Sequence, residues 1–361
     1  VLEGPQGVEP LVGGRRLLSF CSNDYLGLAS HPDVVAALAD GAHRYGAGSG
    51  ASHLVSGHSR AHHVLEEELA EFVGRPRALL FSTGYMANLA LASTLVGRRD
   101  AVFEDRLNHA SLIDAAVLSR ARLHRYPHAD ADALARLLAT NDAPRKLVLT
   151  DGVFSMDGDA APAPSLAHVA RAAGAWLAVD DAHGLGVVGP TGRGTLEATG
   201  LGAGQVPILV GTLGKALGTF GAFVAGSEAL IEALVQLARP YIYTTALPPA
   251  VAEATRASLR CVRSGEARGR LWARIHQFRA GARDLGLPIR ASDSAVHALV
   301  VGSADAALRV SEGLRERGVL VPAIRPPTVP EGTARLRITL CADHRADHVD
   351  RLLEVLAMVA P

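Results

Sequence analysis

The chain has 361 residues, 48% of them hydrophobic and 20% charged, with a formal net charge of zero. That length suits two domains in one globular subunit, and the composition excludes a disordered chain. No basic excess marks a nucleic-acid binder, no apolar run is long enough to span a bilayer, and no charged-then-apolar leader opens the sequence.

Cys21, Cys261 and Cys341 are odd in number and scattered, so no disulfide framework or zinc site is expected, which fits a reducing cytoplasm. The chain opens at Val1, and a further N-terminal segment is expected before it. Only two lysines occur, Lys146 and Lys215; every other basic residue apart from histidine is arginine. A lysine kept against such a bias points to a need for its amine, because a guanidinium does not deprotonate.

In chain order, the first forty residues read as partly extended. From there to about residue 250, short apolar runs alternate with amphipathic stretches. The runs are Ala78–Ser82, Ala101–Glu104, Lys146–Thr150, Ala175–Asp180, Ile208–Gly211 and Ala222–Ala225. The stretches include His62–Val73, Tyr85–Val96, Ala131–Ala139 and Ser165–Ala173. This alternation predicts an α/β fold, a mainly parallel sheet covered by helices. A long helix over Pro249–Arg263 then leads into a smaller α+β region. There, strands are expected at Ala298–Val301, Val319–Ala323 and Ala334–Leu340, and helices at Ala304–Arg317 and Asp347–Val359. The expected domains are an N-terminal segment (1–40) packing with the small domain, a large domain (41–250) and a C-terminal small domain (251–361).

In such sheets ligands sit beyond the carboxyl ends of the strands. Thr83-Gly84-Tyr85 follows the first run, Asp105 to His109 the second, Asp151 to Ser155 the third, Asp180 to Gly184 the fourth and Thr212 to Lys215 the fifth. One sheet edge thus gathers a helix N-terminus, an aspartate, two histidines, hydroxyls and a lysine. Each has a role around pyridoxal phosphate. A helix N-terminus at Gly84 suits the phosphate. Asp180 suits the protonated pyridine nitrogen. His183 can donate to the phenolic oxygen, His109 can stack on the ring, and Lys215 supplies the amine, its pKa open to depression among Gly and Ala.

Plainer readings compete. Asp180 and Asp181 could pair with His183 on a metal, but no further ligand stands at suitable spacing, and no metal is expected. His58, His62 and His63 fall on one helix start and read as surface residues. Gly46-Ala-Gly-Ser-Gly50 follows no apolar strand, so it is no dinucleotide fingerprint. Gly214-Lys215 is no P-loop, since Ala216 stands where Ser or Thr is needed.

Four stretches in one order, Ser22-Asn-Asp-Tyr-Leu-Gly27, Gly152-Val-Phe-Ser-Met-Asp-Gly158, Val179-Asp-Asp-Ala-His-Gly184 and Thr212-Leu-Gly-Lys215, resemble the α-oxoamine synthases. These are fold-type-I pyridoxal-phosphate transferases that join an amino acid to an acyl thioester. Gly48 to Gly57 and Arg325 to Arg337 resemble most the branch of biotin biosynthesis, which condenses L-alanine with a pimeloyl thioester of coenzyme A or acyl carrier protein and loses carbon dioxide.

The resemblance implies a seven-stranded sheet, a homodimer with sites at the interface, and residue roles. Lys215 is the Schiff-base lysine, Asp180 pairs the pyridine nitrogen, and His183 and Ser155 lie by the phenolic oxygen. Gly84, Tyr85 and Thr212 hold the phosphate, and Thr244 and Thr245 reach the partner's. His109 stacks on the ring and borders substrate; Asn23, Thr328 and Arg337 face substrate, with Arg337 on the amino acid's carboxylate. An acyl-contacting arginine of the family lies upstream of Val1, and Asp151 stands where some members have Glu. The branches using glycine with succinyl- or acetyl-CoA, or serine with a long acyl chain, are the rival readings.

Overall fold

The structure is a computed structural model and describes residues 1–360. Its centre is a seven-stranded sheet of β1 (Arg77–Phe81), β2 (Ala101–Asp105), β3 (Arg122–Tyr126), β4 (Lys146–Asp151), β5 (Trp176–Asp180), β6 (Ile208–Thr212) and β7 (Ala222–Gly226). The spatial order is β1-β7-β6-β5-β4-β2-β3. The β6–β5, β5–β4, β4–β2 and β2–β3 pairs are parallel, and β7 runs antiparallel to both β6 and β1.

The interior strands are apolar on both faces because both faces are covered. Ala78 and Leu80, Phe103, Val148, Leu177 and Val179, Leu209 and Phe223 enter one core cluster. Their chain neighbours Leu79 and Phe81, Val102, Leu147 and Leu149, Ala178, Ile208 and Val210, and Val224 enter the other. The second cluster is closed by helices Gly84–Leu95, Ala110–Ser119 and Glu228–Leu237. The first continues through helix Pro249–Ser264 into the C-terminal region.

That region holds a second sheet of β8 (Val296–Gly302), β9 (Ala323–Ile324) and β10 (Ala334–Thr339), in the order β8-β10-β9, all antiparallel. Helices Glu266–Asp284, Ala304–Glu316 and Ala346–Val359 accompany it. In the N-terminal stretch, Leu18–Ser19 pairs in parallel with Val319–Leu320. The same stretch also forms a helix, Pro32–Tyr45, that was not foreseen.

The strand β3 and the helix Ala110–Ser119 were also missed. Arg122-Leu-His-Arg-Tyr126 is an edge strand, and edge strands carry charge to discourage pairing, so it lacks an apolar run. His62 is a correction of another kind. It is fully buried at the start of helix Arg60–Val73, with Nδ1 against the Ser59 backbone N–H and hydroxyl and Nε2 on the Leu247 carbonyl oxygen. His58 and His63 beside it are exposed as expected. No helix of the described residues is long and apolar enough to cross a membrane.

Candidate active site

All strands of the large sheet except β7 point their carboxyl ends to one edge, and the polar residues collect there. After β6 the chain turns through Leu213–Gly221, held by the Thr219 N–H on the Leu213 carbonyl and the Gly218 N–H on the Lys215 carbonyl. Gly218 has φ +64, and a Cβ there would come within 2.3 Å of the Ala29 backbone nitrogen. Only glycine lets this turn seat against the Leu28–Ala29 backbone. The turn aims Lys215 inward.

Lys215 Nζ lies 2.7 Å from Nε2 of the buried His183. The other ring nitrogen, Nδ1, meets the Tyr25 hydroxyl, which in turn donates to Asn23 Oδ1 at 3.3 Å. Nε2 accepting from the amine leaves the proton on Nδ1, so one tautomer satisfies the whole chain of bonds. Burial pushes the Lys215 amine down to about 8, against the pull of Asp180 and Asp151 and with help from the Arg337 charge. Burial, then the Lys215 and Arg337 charges, hold His183 well below the usual imidazole range, so it is neutral.

Asn23 Oδ1 also accepts from Arg337 Nη2 at 3.1 Å. Arg337 lies in the interior of β10, buried, with Nε on the Ser155 carbonyl at 2.6 Å and Nη1 on the Thr339 hydroxyl at 3.0 Å. Among the described residues it has no carboxylate partner within 4.0 Å. A buried guanidinium held only by neutral acceptors is able to take up an incoming carboxylate.

A second network fixes Asp180. Its Oδ2 accepts from Asn88 Nδ2 at 2.7 Å and its Oδ1 from the Ala182 N–H at 3.1 Å. Asn88 Nδ2 also reaches the Ser111 hydroxyl at 2.9 Å, and that hydroxyl meets His109 Nδ1 at 2.7 Å. The His109 N–H donates to Asp151 Oδ2 at 2.7 Å. Burial, reinforced by the neighbouring Asp180 charge, holds Asp151 well above the usual carboxylate range. Burial also lowers His109.

Asp181 faces away. Its Oδ2 accepts from the Thr195 N–H at 2.6 Å, and a Cβ on Gly152, Gly184 or Gly194 would come within 2.5 Å of its carboxylate oxygens. Burial raises it to about 7. Its place is under the loops, so the metal-pair reading with His183 has no second carboxylate.

The helix Gly84–Leu95 opens at this edge. Thr83 caps it, accepting from the Met86 N–H at 3.1 Å. The first-turn N–H groups of Gly84 and Tyr85 lie outside the helix ladder. A Cβ on Gly84 would meet nothing within 4 Å, so the space beside it is open. Thr212 Oγ1 accepts from the Gly214 N–H at 3.3 Å nearby in sequence.

Other expected residues stand apart from these networks. Tyr85 is 42% exposed and its hydroxyl meets Asp114. Thr328 is exposed and, with His109 and Ser155, lines an adjoining cavity. Thr244 is half-buried and Thr245 exposed, after the short helix Arg239–Ile242. Several side chains of the networks, Thr339 among them, carry no role in the sequence-based expectations. Tyr25 lies inside the quoted Ser22–Gly27 stretch, and Asn88 is the one amide in an Ala- and Leu-rich helix, so both left a signal. Ser111 left none, and Asp151 was noted only as a replacement for Glu.

The aminotransferase class I and II family model matches residues 15–356. The 8-amino-7-oxononanoate synthase of Methylococcus capsulatus is 64% identical over 362 residues, covering 100% of this chain and 94% of the relative. The chain belongs to the 8-amino-7-oxononanoate synthase family. Its fold is that of a fold-type-I pyridoxal-phosphate enzyme. A serine palmitoyltransferase holding pyridoxal phosphate superposes with a TM-score of 0.95 at 34% identity, covering 99% of this chain and 92% of that one. The 8-amino-7-oxononanoate synthase of Francisella tularensis superposes with a TM-score of 0.82 at 34% identity, covering 95% and 97%. The cofactor of the family is pyridoxal 5'-phosphate. The residues present fit it: a partly neutral amine, a fixed carboxylate at Asp180, an open helix N-terminus at Gly84, and a buried Asn88 Oδ1 with no partner beside Asp180.

Proposed function

We propose that the chain carries out the family's reaction, the decarboxylative condensation of L-alanine with a pimeloyl thioester, using Lys215, Asp180, His183, His109 and Arg337. Lys215 would hold pyridoxal phosphate, with Asp180 at its ring nitrogen, His183 and Ser155 on its phenolic side, and Gly84, Tyr85 and Thr212 at its phosphate. When bound, the cofactor supplies an electron sink for the carbon that loses its proton.

The observation that carries this reading is the pairing of a low-pKa amine with an unpaired buried guanidinium across one cleft. Arg337 takes the carboxylate of alanine and, through Asn23, fixes its approach. That orientation decides which bond at the α-carbon is weakened. The Lys215 amine, with a pKa of about 8, is neutral in roughly a tenth of molecules at pH 7 and able to take the α-proton. Neutral His183, locked by Tyr25, keeps a hydrogen bond on that amine without adding charge. His109, placed by Asp151 and Ser111, closes the opposite side and borders the acyl donor.

A homodimer in the cytoplasm belongs to the same reading. Thr244 and Thr245 would serve the partner's phosphate, and the exposed apolar side chains Leu54, Val55, Val117, Leu118 and Tyr243 support a second copy of the chain.

The test is a thiol-release assay with alanine, glycine and serine against pimeloyl, succinyl, acetyl and palmitoyl thioesters. Alanine with the pimeloyl donor is expected to be the preferred pair. Preference for glycine with a short acyl group, or for serine with palmitoyl, would contradict it, as would release of a keto acid with no thioester present.

A further inference from the structure

Beside His109 lies a cavity of about 650 Å³, bounded by Ser155, Asp157, Arg290 and the segment Pro327–Pro330. Four arginines line it, Arg106, Arg125, Arg290 and Arg335, against a single carboxylate, Asp157. That carboxylate is already spent: it pairs with Arg335, which is buried, and with Arg290 Nη1 at 2.8 Å. Arg106 and Arg125 form no ion pair within 4.0 Å among the described residues. They come from the neighbouring parallel strands β2 and β3, Arg106 just past the end of its strand. They are tied together, since Arg125 Nη2 donates to the Arg106 carbonyl at 2.6 Å. Both are exposed and share the lining with His109 and with Ser155, whose carbonyl holds Arg337. Glu104, whose carboxyl feels the Arg125 charge, is buried and raised to about 7, so it is about half neutral at pH 7.

One cavity therefore joins His109 to two exposed guanidinium groups that have no acidic partner within 4.0 Å among the described residues. Guanidinium groups held in pairs recognise phosphate oxygens. On the function proposed above, the acyl end of the donor must reach His109, and the carrier's phosphates then trail outward. We propose that Arg106 and Arg125, flanked by Arg290, form a phosphate-binding mouth that grips the phosphate groups of the acyl carrier thiol. The same chemistry is offered by the phosphopantetheine arm and by the nucleotide of coenzyme A.

Three pimeloyl donors separate these sources in the holoenzyme with alanine: S-pimeloyl-N-acetylcysteamine, which has no phosphate, S-pimeloyl-4'-phosphopantetheine and pimeloyl-CoA. In the double variant Arg106→Gln/Arg125→Gln, KM for the phosphate-bearing donors is expected to rise about tenfold or more, with kcat nearly unchanged. KM for the N-acetylcysteamine donor stays at the wild-type value, which also reports that the variant is folded. A rise for both phosphate-bearing donors places the arm's phosphate at the mouth, and a rise for pimeloyl-CoA alone places the nucleotide there; either supports the proposal. Unchanged KM for both, or an equal rise for all three, overturns it. Calorimetric binding of free coenzyme A to the holoenzyme gives a readout independent of turnover. Weaker binding in the double variant supports the mouth even if alanine and pimeloyl donors prove not to be the substrates, and equal binding overturns it.

Discussion

The two sheets deliver polar groups to the cleft in opposite ways. Apart from its charged edge strand β3, the large sheet keeps its strand interiors almost wholly apolar and presents its chemistry at the strand tips, with Asp151, Asp180, Thr212 and Lys215 at or just past the last residues of β4, β5 and β6. The small sheet does the reverse. Arg335 and Arg337 sit within β10, two residues apart and so on one face. Tip residues are held by turns and can be supplied one at a time. Mid-strand residues are held by backbone ladders on both sides, which suits a group that must grip without moving. Arg335 and Arg337 both clasp the loop after β4, through Asp157 and the Ser155 carbonyl, so the small sheet also sets the height of the large sheet's loop.

The comparison can be broken from either side. At the tips, Lys215→Ala is expected to lower kcat by about a thousandfold or more and to remove the visible absorbance of bound cofactor. Steady-state rates and a spectrum check this together.

In the strand, Arg337→Lys is expected to lower kcat/KM for alanine about a hundredfold, mostly through KM, because a lysine cannot reproduce the three-way hold on Ser155, Thr339 and Asn23. If the substitution changed KM for the thioester and left alanine untouched, Arg337 would be facing the wrong substrate.

Tyr25→Phe tests the link between the two regions. It breaks the bond to His183 Nδ1 while leaving the ring, and about a tenfold fall in kcat is expected.

The pH dependence follows from Lys215. Its amine is neutral above about 8 and charged below, so the rate at which apoprotein takes up pyridoxal phosphate should rise about tenfold per pH unit up to 8 and then level off. Stopped-flow absorbance reads this directly.

The smallest effect belongs to His297. Burial lowers it from 6.5 to about 3, and neither ring nitrogen has a partner. The unfolded chain then binds the proton more readily, so this group's stabilisation is present above pH 6.5 and is lost as pH falls toward 3. His297→Leu should shift the acid unfolding midpoint down by about half a pH unit, followed by circular dichroism.

The large sheet was legible because covered parallel strands must be apolar on both faces, and six of its seven strands announced themselves as runs. The edge strand Arg122–Tyr126 did not, since its task at the sheet's rim calls for charge. Tip residues were legible for the same reason as the strands: each follows a run. Lys215 stood out further through the rarity of lysine. Asn88 and Ser111 reach Asp180 and His109 from helix faces, and nothing in the spacing of Gly84-Tyr-Met-Ala-Asn88 says which way an amide turns. His62 was misread as a surface residue because three neighbouring histidines look solvated, whereas its ring is needed by Ser59 and Leu247.

The most direct measurement is borohydride reduction of the cofactor-loaded protein, followed by digestion and peptide mass analysis. With only Lys146 and Lys215 in the chain, and Lys146 at the opposite end of the large sheet, the readout is nearly binary. A pyridoxyl phosphate adduct on the peptide containing Lys215, and on no other, is the expected result. An adduct on Lys146, or no adduct on either, would contradict the account.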